Sequence, residues 1–124
     1  CGKPLKVHGD GQQTRSFTWV GDITEAFLLA GLTDVAIDDG SKLAGAVWNV
    51  GWPEETSIAE LAELVAETSG VEVLIEPSKG YFGDSQRRCP DISLATRQLG
   101  WQPWTTLEAG LRSTWFVINN RING

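Results

Sequence analysis

Methionine is missing from all 124 residues, position 1 included. The sequence is therefore expected to be a processed product or an internal piece of a longer chain. Cysteine occurs only at Cys1 and Cys89, too few for a disulfide framework. The default expectation is a reduced, cytoplasmic protein. The one histidine, His8, lies in a predicted strand with no cysteine beside it, so spacing supports neither a thiol–imidazole nucleophile nor a metal site. No apolar run approaches the roughly 20 residues of a membrane span, and Cys1-Gly-Lys-Pro-Leu5 has no signal-peptide core. Positive charge is scarce as well: 10 lysines and arginines against 16 acids give a net −6, which argues against a nucleic-acid partner.

What is present is the composition of an ordinary soluble domain, 41% hydrophobic and 21% charged. The length suits a single domain with a core. The charges are unevenly spread. Residues 21–76 hold twelve acids and the single base Lys42, whereas Arg15, Arg87 and Arg88 fall in segments with a positive balance. That distribution fits a small anion site on an acidic body better than a broad basic surface.

Periodicity predicts a small mixed α/β unit with short strands and about four helices, in the order β-β-α-β-α-β-α-α. Two strands, marked by Leu5/Val7 and Phe17/Trp19, flank a tight Gly9-Asp-Gly11 turn and read as a hairpin. Asp22 is placed to cap a helix whose inner face carries Ile23, Ala26, Phe27 and Ala30. Residues 31–42 read as a loop, and Ala46–Val50 as an apolar strand. Ser57 and Glu60 have capping-box spacing, ahead of a helix burying Ile58, Leu61, Ala62 and Val65 and stopped by Gly70. Its Glu60, Glu63 and Glu67 form a solvated row. A strand over 71–75 and a polar loop over 77–90 follow. Asp91 reads as the cap of a helix burying Ile92, Ala95 and Leu99. Thr105 and Glu108 offer a second capping box, opening a terminal helix that buries Leu107, Leu111, Trp115 and Ile118. Trp101, Trp104 and Trp115 read as packing residues.

Arginine carries the chemical argument. A diphosphate diester is a dianion, and planar guanidinium forks meet its oxygens in pairs. Arg15 lies just past a glycine-rich turn; Arg87 and Arg88 lie just before a helix start. If the fold brings these segments together, the arginines can share one diphosphate. The alternative for Arg15 is an ion pair with Asp10 or Asp22.

The stretch Pro4-Leu-Lys-Val-His-Gly-Asp-Gly-Gln-Gln-Thr-Arg-Ser-Phe-Thr-Trp-Val-Gly-Asp22 resembles the substrate-binding half of extended short-chain dehydrogenase/reductases, the NAD-dependent epimerases, dehydratases and decarboxylases of nucleotide sugars. Arg88-Cys-Pro-Asp-Ile92, Leu99-Gly-Trp101 and Trp48-Asn-Val-Gly51 are similar to later segments of that family, so the resemblance runs from Gly2 to about Trp115. It implies that Arg15 and Arg88 contact the diphosphate, with Arg87 a neighbour. It also implies that the strand carrying Val7 and His8 runs beside the base, and that Gln12 and Asn49 are candidates for ribose or phosphate contact. His8 stands where many members carry tyrosine.

The family's glycine fingerprint for NAD is not in this sequence. Its Tyr-x-x-x-Lys pair is missing too, because Tyr81 is followed four residues later by Ser85. The expectation is one unit over residues 1–124 that binds a UDP- or dTDP-sugar weakly. It would have no cofactor, no metal, no catalytic residue and no enzymatic activity on its own. Its expected partner is a second copy or a separate Rossmann-domain chain, with no role at a membrane. The rival expectation is a dimeric interaction module with a vestigial ligand site.

Overall fold

The computed structural model describes residues 4–32, 45–71, 74–80 and 83–123. Among these residues five short strands and four helices follow in the order β1 (Leu5–His8), β2 (Thr14–Arg15), α1 (Val20–Leu32), β3 (Thr56–Ser57), α2 (Ile58–Ser69), β4 (Ile75–Ser78), β5 (Arg87–Arg88), α3 (Ser93–Leu99) and α4 (Leu107–Asn123). This is the small mixed α/β unit the periodicity predicts.

The first two strands do not form a hairpin. β1 pairs in parallel with β4, while β2 sits in the middle of a separate sheet, antiparallel to β3 and parallel to β5. The cause lies in the turn between them. Gly11 has φ +74, and a Cβ there would stand 2.9 Å from Val7 Cγ1 and 3.1 Å from Ala59 Cβ. The start of α2 fills that space: Ala59 N–H donates to the Gly11 carbonyl and Ile58 N–H to that of Gln13. The wedge drives β2 away from β1, and the buried Gln13 closes the gap by donating from Nε2 to the His8 carbonyl at 2.7 Å.

Other boundaries shift for local reasons. The second strand is Thr14–Arg15, with Phe17 and Trp19 beyond it. Residues 46–50 join no sheet among the described residues, although they keep the alternation of half-buried and exposed positions. Trp48 and Val50 turn instead into the core, and Trp48 Nε1 donates to Gln98 Oε1. β4 begins only at Ile75, and the expected polar loop after it contains β5. The loop expected over 31–42 gives Gly31 and Leu32 to α1 and otherwise lies outside the described residues.

The core joins α1 to α3 through Ala26, Ala95, Leu99 and Trp101, with Leu29, Ala30 and Ile92 against them. Phe27, expected inside, is 72% exposed, because Leu29 takes the inward position. Trp104, expected to pack, is also exposed and donates from its indole to Glu25. Ile118 too is exposed, at 43%.

Asp22 is not a helix cap. It is the third residue of α1, fully buried, and its carboxylate accepts from the Trp104 and Thr105 N–H groups and the Thr105 hydroxyl. Its carbonyl accepts from Trp101 Nε1 at 2.9 Å. This draws the 101–105 segment onto α1. With Thr105 committed to Asp22, the start of α4 is capped by Thr106, whose hydroxyl accepts from the Ala109 N–H. The Ser57/Glu60 capping box forms in both directions, and Gly70 ends α2. At α3, Asp91 accepts from the Ser93 N–H although the cap position itself is Ile92. That bond holds the Asp91 carboxyl below its ordinary range.

Candidate functional site

The three-stranded sheet brings the arginine segments together. β2 and β5 run in parallel with Thr14 beside Arg87 and Arg15 beside Arg88. Side chains alternate across a strand, so residues in register share a face. Arg15 and Arg88 therefore emerge on one side of the sheet, and Thr14 and Arg87 on the other.

On the Arg15/Arg88 side is an open cleft of about 530 Å³. Arg15, Ser16 and Thr18 line one flank and Arg88, Cys89 and Pro90 the other, with Val50 and Gly51 between them. Gly51 is buried, and a Cβ there would lie 2.6 Å from Pro90 Cγ and 3.4 Å from Thr18 Oγ1. Hydrogen bonds bind these segments. The Trp52 N–H donates to Thr18 Oγ1, the Ser16 hydroxyl donates to the Trp52 carbonyl, and Cys89 Sγ donates to that of Pro53. The cleft is thus held by bonds between its own side chains and backbone groups.

Arg15 is anchored twice. One terminal nitrogen donates to the Thr14 carbonyl at 2.7 Å, and the other meets Asp84 Oδ1 at 2.6 Å. Its ion-pair partner is Asp84 and neither Asp10 nor Asp22. Arg88 is exposed, and its guanidinium has no ion pair among the described residues.

The opposite face is used differently. Glu55 accepts from the Thr14 hydroxyl and from Arg87 Nε. The Thr14 bond, then Arg87, holds the Glu55 carboxyl below its usual range, and the same pairing raises Arg87. Arg87 thus completes a structural cross-brace outside the cleft.

The remaining candidates lie elsewhere. Val7 has a buried side chain, leaving only its backbone to contact a ligand. The His8 ring is held at the end of β4 by the Ser78 hydroxyl and the Lys79 carbonyl. Gln12 is exposed in the turn, its N–H given to Asp10. Asn49 is exposed beside the cleft, whose lining takes its neighbours Val50 and Gly51 instead. Asp84 and Glu55, which decide the surroundings of two arginines, carry no sequence signal, because their partners are 69 and 32 residues away.

Residues 2–114 match the GDP-mannose 4,6 dehydratase family. The chain belongs to that family. UDP-glucuronic acid decarboxylase 1 of Arabidopsis thaliana is 37% identical over 119 residues, 96% of this chain and 25% of that protein. A UDP-D-apiose/UDP-D-xylose synthase of the same plant is 35% identical over 126 residues, 90% of this chain and 31% of the other. The fold is shared with Bacillus cereus UDP-glucuronic acid 4-epimerase, solved with UDP-glucuronic acid and NAD. The TM-score is 0.84 at 29% identity, covering 97% of this chain and 36% of that one. It is shared also with Thermotoga maritima UDP-glucose 4-epimerase, solved with UDP-glucose, at TM-score 0.80 and 27% identity over 98% and 37%. The chain thus spans about a quarter of the first curated relative and little more than a third of these two solved chains.

Proposed function

We propose that residues 1–124 form a nucleotide-diphospho-sugar-binding unit of an NAD-dependent sugar epimerase/dehydratase-like protein. By themselves they are non-catalytic. Arg15 and Arg88 hold the diphosphate. The single observation that carries this reading is the register of β2 and β5, which puts these two guanidiniums on one face, lining one cleft. UDP-glucuronic acid and UDP-glucose in the solved relatives support a uridine nucleotide over other classes of anion. Val7, His8, Gln12 and Asn49 lie outside the cleft lining, so contacts through them need a ligand extending beyond the diphosphate.

Calorimetric titration of the 124-residue chain with UDP and UDP-glucuronic acid tests the reading. Removing a charge-assisted bond costs about 1.5–3 kcal/mol. Arg15→Ala and Arg88→Ala should each weaken binding by at least tenfold, while Arg87→Ala, on the far face, should leave it within about twofold. Equal affinity of the parent and the Arg15/Arg88 double variant would remove the proposal.

A second reading rests on a different observation. Val20, Phe27, Leu28 and Leu32 of α1 are 66%, 72%, 56% and 79% exposed. On this reading the chain is an interaction module whose α1 face meets a second copy or a Rossmann-domain chain, with the cleft vestigial. Association without any nucleotide binding would favour it.

A further inference from the structure

We propose that Asp84 is a built-in competitor for the anion bound by Arg15, an autoinhibitory contact that a diphosphate must displace. The inference rests on reading the cleft as a diphosphate site.

The two acidic partners of arginine in this sheet are held differently. Glu55 is fixed from two directions, by the Thr14 hydroxyl and by Arg87, and its side chain is only 18% exposed. Asp84 is 37% exposed, and its carboxylate has one hydrogen bond among the described residues, the one from Arg15. It lies between β4 and β5, outside both ladders, so moving its side chain breaks no strand pairing. The Arg15 guanidinium keeps its orientation without Asp84, because the bond to the Thr14 carbonyl fixes the other terminal nitrogen. One anchor is permanent and the other is exchangeable.

Charge gives the exchange its direction. Arg15 and Arg88 line the cleft, and Asp84, outside that lining but paired with Arg15, leaves one net positive charge among the three. A dianionic diphosphate arriving with Asp84 in place would set three negative charges against two positive ones. Like charges sharing one guanidinium nitrogen repel at short range. The phosphoryl oxygens therefore take the Arg15 nitrogen that Asp84 holds, and the carboxylate turns to solvent, where its partial exposure makes hydration cheap. Asp84 lowers affinity for any anion and raises the threshold for weak ones.

The alternative role, in which Asp84 orients Arg15 for the ligand, gives the opposite sign. Titration of the parent and Asp84→Asn chains with UDP and with inorganic pyrophosphate separates the two. Loss of a partly exposed ion-pair competitor should tighten both probes by about threefold to fivefold. Asp84→Ser, which cannot replace the carboxylate as an acceptor of equal strength, should do the same. Unchanged or weaker binding by both variants, with the parent binding normally, would overturn the competitor role and leave the diphosphate reading intact. No binding of either probe by parent or variants would overturn both.

Discussion

At the residue scale, Asp22 does more than the sequence pattern assigns it. A carboxylate at a helix start ordinarily serves its own first turn, but here it accepts from two N–H groups and one hydroxyl some 80 residues away. Those donors are buried or partly buried. Removing their acceptor leaves them without a partner, which costs more than the bonds contribute when made. Asp22→Ala should therefore destabilise the fold by about 3 kcal/mol. Asp22→Asn, which keeps one acceptor oxygen, should lose less. Urea titration followed by tryptophan fluorescence reads both, since Trp101 leans on the Asp22 carbonyl. A loss under about 1 kcal/mol for the alanine variant would show that the 101–105 segment is held by packing alone.

Among the elements, the three-stranded sheet is tied to an ionised carboxylate and so to pH. Its strands are two residues long, so few ladder bonds hold them, and the Thr14–Glu55–Arg87 brace contributes in proportion. The bonded form of Glu55 is the ionised one, so its folded-state pKa lies below its unfolded value of about 4.5. Its stabilisation is complete above that value and is lost as pH falls through the lowered folded-state pKa. Glu60, which closes the capping box of α2, and Asp91 at α3 shift in the same direction and add to the same acid limb. Thermal midpoints measured from pH 7 down to pH 3 should fall below about pH 4.5, and Glu55→Gln should flatten that fall. A parent and variant with parallel profiles would show that the brace adds no stability.

For the whole molecule, the apolar surface is the outstanding property. Besides the α1 residues, α4 exposes Phe116 at 67% and Ile122 at 73%. Contiguous apolar surface beyond several hundred Å² is unusual on a soluble monomer. Reburial at roughly 25 cal/mol per Å² favours association, offset in part by lost rotational and translational freedom. Light scattering of the 124-residue chain at micromolar concentration should report a dimer or larger species, and Phe27→Glu with Leu28→Glu should shift it toward monomer. A parent that stays monomeric at high concentration would remove the α1 face as an interface. Among the described residues no helix is long and apolar enough to cross a membrane, so these side chains do not mark a membrane-spanning helix.

Short-range chemistry was legible in the sequence. The Ser57/Glu60 box and the Gly70 stop depend on residues within four positions of one another, and the inward set of α3 follows from the helical spacing of Ile92, Ala95 and Leu99. The two arginine segments also stood out, because guanidinium beside a glycine turn and before a helix start is chemically distinctive. The rest depended on contacts between distant residues. α2 wedged against Gly11 separates β1 from β2, and Thr105 is taken from its helix by Asp22. The same holds for the face each arginine occupies. Sequence places Arg87 and Arg88 side by side, but strand alternation sends them to opposite sides once β5 pairs with β2. Residue types and local propensity fixed which groups could bind an anion. Pairing across 73 positions, Arg15 to Arg88, decided which of them share a cleft, since register is a property of two strands and not of either alone.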